Sequence, residues 1–207
     1  MYDNSTYGCN ITNPMNEQQK SMYSHIPPLL IQLRQQMISY PNDYFQGRGI
    51  VLTIGPNQMS LAKVNLKMIE HSRTRLSVQI WYSSTTISHK NMIKLFKYAP
   101  RVNLSVCCFH TAQCRTYQKT WQLNTTHVYK PAGNNLLKNF AYKPAAILSA
   151  TFAEVLFLDS DAYVTRDPEE LFLLDPMYLK FGALFYPDAH ISRQDSIVWQ
   201  LFNTSCG

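Results

Sequence analysis

Apolar and polar residues alternate with two different periods between positions 47 and 160, so the chain is predicted to alternate strands and helices. Short apolar runs indicate buried strands, and apolar residues spaced three or four apart indicate helices that cover a sheet. The predicted strands are residues 50–54, 76–82, 102–109 and 154–158, and the predicted helices include 91–98 and a segment with Leu61, Val64, Met68 and Ile69 on one face. This order is typical of an α/β fold with a mostly parallel sheet flanked by helices.

Two regions depart from this alternation. Residues 1–46 are rich in Asn, Gln, Ser and Tyr, and their one helical pattern is Leu29, Leu30, Leu33 and Met37, so we interpret them as a stem or linker with a short helix. The folded domain is then predicted over residues 47–207. Within it, the helical pattern from 134 to 152 contains Pro144, which cannot donate an interior backbone hydrogen bond, and we expect two helices divided near Lys143.

Composition and charge reduce the number of functions and partners that the chain could have. The chain has 207 residues, of which 45% are hydrophobic, so it can bury one sizeable core. Its net charge of +6 is not gathered into a basic run, which favours anionic ligands such as nucleotide diphosphates over nucleic acid as partners. No stretch approaches the roughly 20 uninterrupted apolar residues of a membrane-spanning helix, and residues 1–16 are too polar for a signal peptide.

Glycosylation sequons favour the secretory pathway, although residues 1–16 do not resemble a signal peptide. Five Asn-X-Ser/Thr acceptors begin at Asn4, Asn10, Asn103, Asn124 and Asn203, and these matter only to a chain that enters the secretory pathway. We therefore expect lumenal glycosylation, with membrane association only through an N-terminal anchor that has been lost or lies outside this sequence.

Cysteine is present five times, at Cys9, Cys107, Cys108, Cys114 and Cys206. An odd number is compatible with two disulfides and one free thiol in an oxidising compartment, and the pairing cannot be read from the spacing. A zinc site formed by Cys107, Cys108, His110 and Cys114 is the alternative, but paired C-x-x-C spacing is lacking, so buried or bridged cysteines are favoured.

The strongest chemical signal is a pair of carboxylates after the most apolar strand. Asp159 and Asp161 are two residues apart, so both are predicted to lie on one side of the chain at the carboxyl end of strand 154–158. Ligand sites of open α/β sheets lie at that edge. Two adjacent carboxylates repel each other, and a divalent cation relieves the repulsion while it also binds a diphosphate. A solvated turn with a capping aspartate is the alternative, and the pattern alone does not decide.

Several segments together resemble the fungal α-mannosyltransferases of glycosyltransferase family 71. The segments that carry the resemblance are 47–52 (GRGIVL), 80–82 (IWY), 143–148 (KPAAIL), 152–161 (FAEVLFLDSD), 167–172 (DPEELF) and 182–188 (GALFYPD). Each is short, but their combination is specific and extends over most of the chain.

This resemblance implies a Rossmann-like GT-A fold that transfers mannose from GDP-mannose to a mannose-containing glycan with Mn²⁺, in a type II Golgi membrane protein. By the same resemblance Asp159 and Asp161 form the DxD motif that binds the metal. Gly55 is expected near the nucleotide. Lys143 is expected near the donor phosphates, and a solvated lysine at a helix end is the alternative. Asp188 is expected either to reach the sugar or to cap a turn.

Some features depart from the family pattern. Ala162 replaces a common Asn, Gln79 replaces an acid, and the family's acceptor half has no counterpart before Gly207, so the fold is expected to be incomplete at the C-terminus. Donor binding without transfer is then the expectation for this chain alone. The alternatives are an inactive carbohydrate-binding relative and, less favoured, a phosphatase of the haloacid dehalogenase type, in which Tyr163 stands where Thr or Val is required.

Overall fold

Six strands form one sheet in a computed structural model that describes residues 16–24, 40–128 and 138–184. The strands are β1 (Arg48–Ile54), β2 (Ser77–Tyr82), β3 (Leu104–Cys108), β4 (Gln113–Arg115), β5 (Thr120–Gln122) and β6 (Glu154–Leu158). Their order in the sheet is β5-β4-β3-β2-β1-β6. Strands β3, β2, β1 and β6 are parallel to one another, whereas β4 and β5 are antiparallel to their neighbours. The predicted α/β class with a mostly parallel, helix-flanked sheet is confirmed.

Helices cover the sheet and connect its strands. They are α1 (Glu17–Tyr23), α2 (Met59–His71), α3 (His89–Met92), α4 (Lys138–Ser149), α5 (Glu169–Leu174) and α6 (Pro176–Phe181). Short 3₁₀ segments lie at Pro56–Gln58, Ile93–Tyr98 and Thr125–His127. Residues 40–184 form one compact unit, whereas α1 belongs to a second unit.

Helix α2 packs on one face of the sheet, but not with the predicted stripe. Its buried residues are Ala62, Asn65, Leu66 and Ile69, whereas Val64 is half exposed. The helix therefore presents a different face to the sheet, and the buried Asn65 amide on that face donates hydrogen bonds to the turn that follows β6.

Helix α4 packs on the opposite face and continues through Pro144, so the predicted division near Lys143 is wrong. An interior proline costs about 3 kcal/mol or more. The buried side chains of Ala145, Ala146 and Ala150 pack beneath the sheet in one cluster with Val51 and Trp81, and this packing offsets the cost.

The antiparallel hairpin of β4 and β5 extends the sheet beyond β3 and was not predicted. Each strand has only three residues, too few for a recognisable alternation.

Cys107 on β3 and Cys114 on β4 are opposite each other and form a disulfide. Two of the three cysteines proposed as alternative zinc ligands are therefore bridged, and Cys108 is a free, buried thiol.

Two aspartates cap the helices that follow β6. Asp167 accepts a hydrogen bond from the Glu169 amide, and Asp175 accepts two from the first turn of α6. None of the described helices is long and apolar enough to cross a bilayer. The predicted helix at residues 29–37 lies outside the described residues, as does Asp188.

Candidate functional site

The two predicted metal-binding aspartates lie in a tight turn that directly follows β6. The Ala162 amide donates to the Asp159 carbonyl oxygen at 3.0 Å, which closes the turn. Ser160, between the aspartates, is buried, whereas the Asp159 side chain is 47% exposed and Asp161 is exposed. We call residues 159–162 the carboxylate turn. Both of its carboxylates are accessible to a ligand from solvent.

Lys143, which the resemblance places near the donor phosphates, lies beside this turn. It projects from the middle of α4, and its Nζ is 2.5 Å from Asp159 Oδ1. The two side chains are 38% and 47% exposed, so the pair contributes only about 0–1 kcal/mol to stability. Its importance is its position, because it places a cation beside the carboxylate pair.

Gly55 lies at the same edge of the sheet as the carboxylate turn. Strands β1 and β6 are parallel, with Leu52 opposite Leu158, so Gly55 and Asp159 both follow carboxyl ends of adjacent strands. The Gly55 amide donates to Gln58 Oε1 at 2.7 Å. Its φ of −94° is open to any residue, so the backbone conformation does not require glycine here. No hydrogen bond joins Gly55 to the aspartates among the described residues.

Asn65 is a site residue that the sequence analysis missed. It lies on α2, is fully buried, and donates hydrogen bonds to backbone oxygens of the carboxylate turn. The signal was present, since an asparagine between Ala62 and Ile69 interrupts an otherwise apolar helical stripe. It was missed because the exposed Val64 was assigned to the buried face.

A second polar cluster occupies the carboxyl ends of β2 and β3. The Tyr82 hydroxyl lies 2.8 Å from His89 Nδ1, and Ser83 Oγ lies 3.4 Å from His110 Nδ1. Burial, with a smaller contribution from the neighbouring Cys108, raises the pKa of Tyr82 far above its usual range. Both histidines therefore lie at the carboxyl edge of the sheet. His89 was not predicted to be functional, and His110 was considered only as a ligand of the alternative zinc site.

The Cys108 thiol belongs to this cluster. Burial acts to raise its pKa, but hydrogen bonds involving Thr111, Ser84 and the His110 backbone outweigh burial, and the net pKa is lowered. With Cys107 in a disulfide, Cys108 is the one thiol among the described residues at this edge.

The carboxylate turn offers part of a cation site. Across residues 16–24, 40–128 and 138–184, no group of three or more His, Cys, Asp and Glu side chains is arranged to hold a metal. Two accessible carboxylates nevertheless fit a hard divalent ion whose remaining oxygen ligands come from a diphosphate and water, which is the usual arrangement at phosphate sites. The donor set therefore fits Mn²⁺ or Mg²⁺ better than a soft metal.

Two grooves, of about 570 and 540 Å³, lie away from these residues. They occur at the opposite edge of the sheet, where β2 and β3 begin, and both are lined by Asn103, Thr116 and Lys119. Neither groove contains a predicted site residue. The candidate site is instead an open surface formed by the carboxylate turn and Lys143.

Comparison with known proteins establishes the family. A family model described as "Mannosyltransferase putative" matches residues 47–205, and the chain belongs to this mannosyltransferase family. The alpha-1,3-mannosyltransferase MNT3 of Saccharomyces cerevisiae is 29% identical over 155 residues, which cover 75% of this chain and 22% of that protein. The alpha-1,2-mannosyltransferase MNN2 of Candida albicans is 27% identical over 175 residues, which cover 80% of this chain and 26% of that protein.

These relatives are several times longer than the region they share with this chain. The chain spans 22% and 26% of their lengths, respectively. A solved structure of the WbbM bifunctional glycosyltransferase in its apo form matches 92% of this chain and 39% of its own chain, with 14% identity and a TM-score of 0.40.

Proposed function

We propose that this chain supplies the donor-binding part of an α-mannosyltransferase that transfers mannose from GDP-mannose to a mannose-containing glycan. The observation that carries the proposal is the convergence of Lys143 with Asp159 at the carboxyl edge of the sheet, next to the end of β1. This edge is where nucleotide ligands of open α/β sheets bind. Family membership supports mannose as the transferred sugar.

The chain's own groups have distinct tasks in this proposal. Asp159 and Asp161 would hold a divalent cation, preferably Mn²⁺, which would supply a Lewis acid to the departing diphosphate. Lys143 would leave Asp159 and donate to a phosphate oxygen, neutralising charge that develops as the sugar–phosphate bond breaks. Gly55 would present its backbone to the nucleotide once Gln58 releases its amide. Retention of the sugar's configuration is proposed from the family resemblance alone.

We further propose that the whole protein acts in the Golgi lumen, with type II topology, in protein glycosylation or cell-wall mannan synthesis. The Cys107–Cys114 disulfide supports an oxidising compartment, and the five sequons favour the secretory pathway.

Donor specificity tests the proposal directly. The 207-residue chain with Mn²⁺ would be titrated calorimetrically with GDP-mannose, and separately with UDP-glucose as the matched nucleotide sugar. We expect GDP-mannose to bind at least about tenfold more tightly, a free-energy difference of about 1.4 kcal/mol. Equal binding of both donors, or binding of neither, would contradict the assignment.

A further inference from the structure

Asn65 lies where an apolar residue is expected. Its neighbours on the inner face of α2, Ala62, Leu66 and Ile69, are all fully buried, and so is Asn65 itself. A polar side chain at such a position is unfavourable unless its hydrogen-bonding groups find partners. The partners of the Asn65 amide therefore indicate its role.

Those partners are both in the carboxylate turn. Asn65 Nδ2 donates to the Ala162 carbonyl oxygen at 2.7 Å and to the Asp159 carbonyl oxygen at 3.3 Å. Because the Ala162 amide donates to the same Asp159 oxygen, one amide group of α2 holds both ends of the turn. The segment that carries the two candidate metal ligands is thus fixed to the core by a single side chain of another element.

The oxygen of the Asn65 side-chain amide indicates that stability alone does not explain why an asparagine occupies this position. Asn65 Oδ1 is buried and has no hydrogen-bond partner among the described residues. An unpaired buried acceptor is destabilising, and leucine, whose side chain has the same branched shape, would avoid it and match the surrounding apolar side chains. What leucine cannot supply is the pair of donor bonds to the turn.

We propose that Asn65 is a positioning residue that fixes the carboxylate turn against α2 and so sets where Asp159 and Asp161 present their oxygens to a donor-bound cation. This inference rests on the proposed function. Helix α2 also follows the Gly55 loop through one 3₁₀ turn, Pro56–Gln58. Asn65 therefore couples the loop expected at the nucleotide to the carboxylates expected at the metal. Groups that orient metal ligands typically change metal affinity by about 10- to 100-fold when they are removed.

The test compares Asn65→Leu with Leu66→Ala, a neighbouring core change at a side chain that makes no hydrogen bond to the turn. Mn²⁺ affinity in the presence of GDP would be measured by electron paramagnetic resonance, and exchange of the Ala162 amide hydrogen by mass spectrometry or NMR. For Asn65→Leu we expect a native circular dichroism spectrum, Mn²⁺ binding weakened about tenfold or more, and faster exchange in the turn. Leu66→Ala should lower the denaturation midpoint and leave Mn²⁺ affinity and turn exchange unchanged.

The outcomes separate this inference from the function on which it rests. Unchanged Mn²⁺ affinity and unchanged turn exchange in a folded Asn65→Leu chain would overturn the positioning role. If the wild-type chain binds no Mn²⁺ with GDP, the proposed function fails, and the exchange measurement decides the positioning contact by itself. If Asn65→Leu does not fold, Asn65→Ala provides the same two readouts without the branched side chain.

Discussion

Lys143 Nζ lies 2.5 Å from Asp159 Oδ1, so an ammonium group occupies one carboxylate of the proposed metal-binding pair. A divalent cation that binds this oxygen therefore competes with Lys143 for it. The donor's phosphates give the lysine a second anionic partner, so its departure from Asp159 is easier when the nucleotide is present than when the metal arrives alone. Lys143 should therefore weaken metal binding in the absence of nucleotide and strengthen nucleotide binding.

Replacing Lys143 with alanine is predicted to strengthen Mn²⁺ binding without nucleotide and to weaken GDP binding with Mn²⁺. The first effect should be up to about fivefold, because a partly exposed ion pair is worth about 0–1 kcal/mol. The second should be about tenfold or more, because a hydrogen bond to a charged group is worth about 1.5–3 kcal/mol. Lys94→Ala, an exposed lysine that bonds Asn91, is the control and should alter neither. Weaker metal binding by Lys143→Ala without nucleotide would refute the competition.

Gly49→Ala is predicted to destabilise the fold because of a close approach to Phe152. A Cβ at Gly49 would lie 2.2 Å from the Phe152 ring, whereas one at Gly55 would meet nothing nearer than the flexible end of Gln58, at 3.2 Å. Forcing an extra methyl into a packed core typically costs about 1–3 kcal/mol. Urea unfolding should therefore show a clear loss for Gly49→Ala and a small change for Gly55→Ala. Equal losses would show that the ring contact is unimportant.

The acid stability of the fold is predicted to depend on Glu154. Hydrogen bonds from the Tyr178 hydroxyl, and then from Arg48, lower the pKa of Glu154 below its ordinary value of 4.5. A lowered carboxylate pKa stabilises the folded chain above pH 4.5, and this contribution is lost as the pH falls through the folded-state pKa.

Thermal melts between pH 7 and pH 3 would check this contribution. Glu154→Gln should flatten the acid side of the stability profile. Tyr178→Phe removes the largest cause of the shift and should move the acid loss towards higher pH. A Glu154→Gln profile parallel to that of the wild type would rule the contribution out.

Asn103 and Asn124 are predicted to carry N-glycans when the chain is expressed behind a signal sequence. Both sequons lie in the described region and both asparagines are exposed. Asn124 accepts hydrogen bonds from the amide and hydroxyl of Thr126, within its own sequon. Substituting each asparagine with glutamine should remove one glycosidase-sensitive increment of gel mobility. No shift for either variant would count against the lumenal assignment.

The parallel part of the sheet could be predicted from the sequence because its strands are largely apolar and are separated by segments with helical spacing. Strand β6 was predicted with its observed bounds, Glu154–Leu158, since the run ends abruptly in charged residues. The hairpin of β4 and β5 was missed because three-residue strands have no period, and their pairing depends on contacts with β3 rather than on local pattern.

The candidate site was predictable only in part, for a different reason. The spacing of Asp159 and Asp161 and the resemblance to a known family identified the carboxylates and Lys143 from local sequence. The contribution of Asn65 depends on contacts 94 and 97 positions away along the chain, which no local pattern contains. Continuation of α4 through Pro144 likewise depends on packing against the sheet, which outweighs the local preference of proline.

The most direct test of the account is a calorimetric titration of GDP into the chain with and without Mn²⁺. Wild type, Asp159→Asn and Asp161→Asn would be compared, with Asp43→Asn as control because Asp43 is an exposed aspartate that precedes β1 at the opposite edge of the sheet. Wild type and Asp43→Asn should bind GDP more tightly with Mn²⁺, by about tenfold or more, and the other two variants should lose that enhancement. GDP binding that is independent of Mn²⁺, or an enhancement that survives Asp161→Asn, would contradict the metal-binding role of the carboxylate pair.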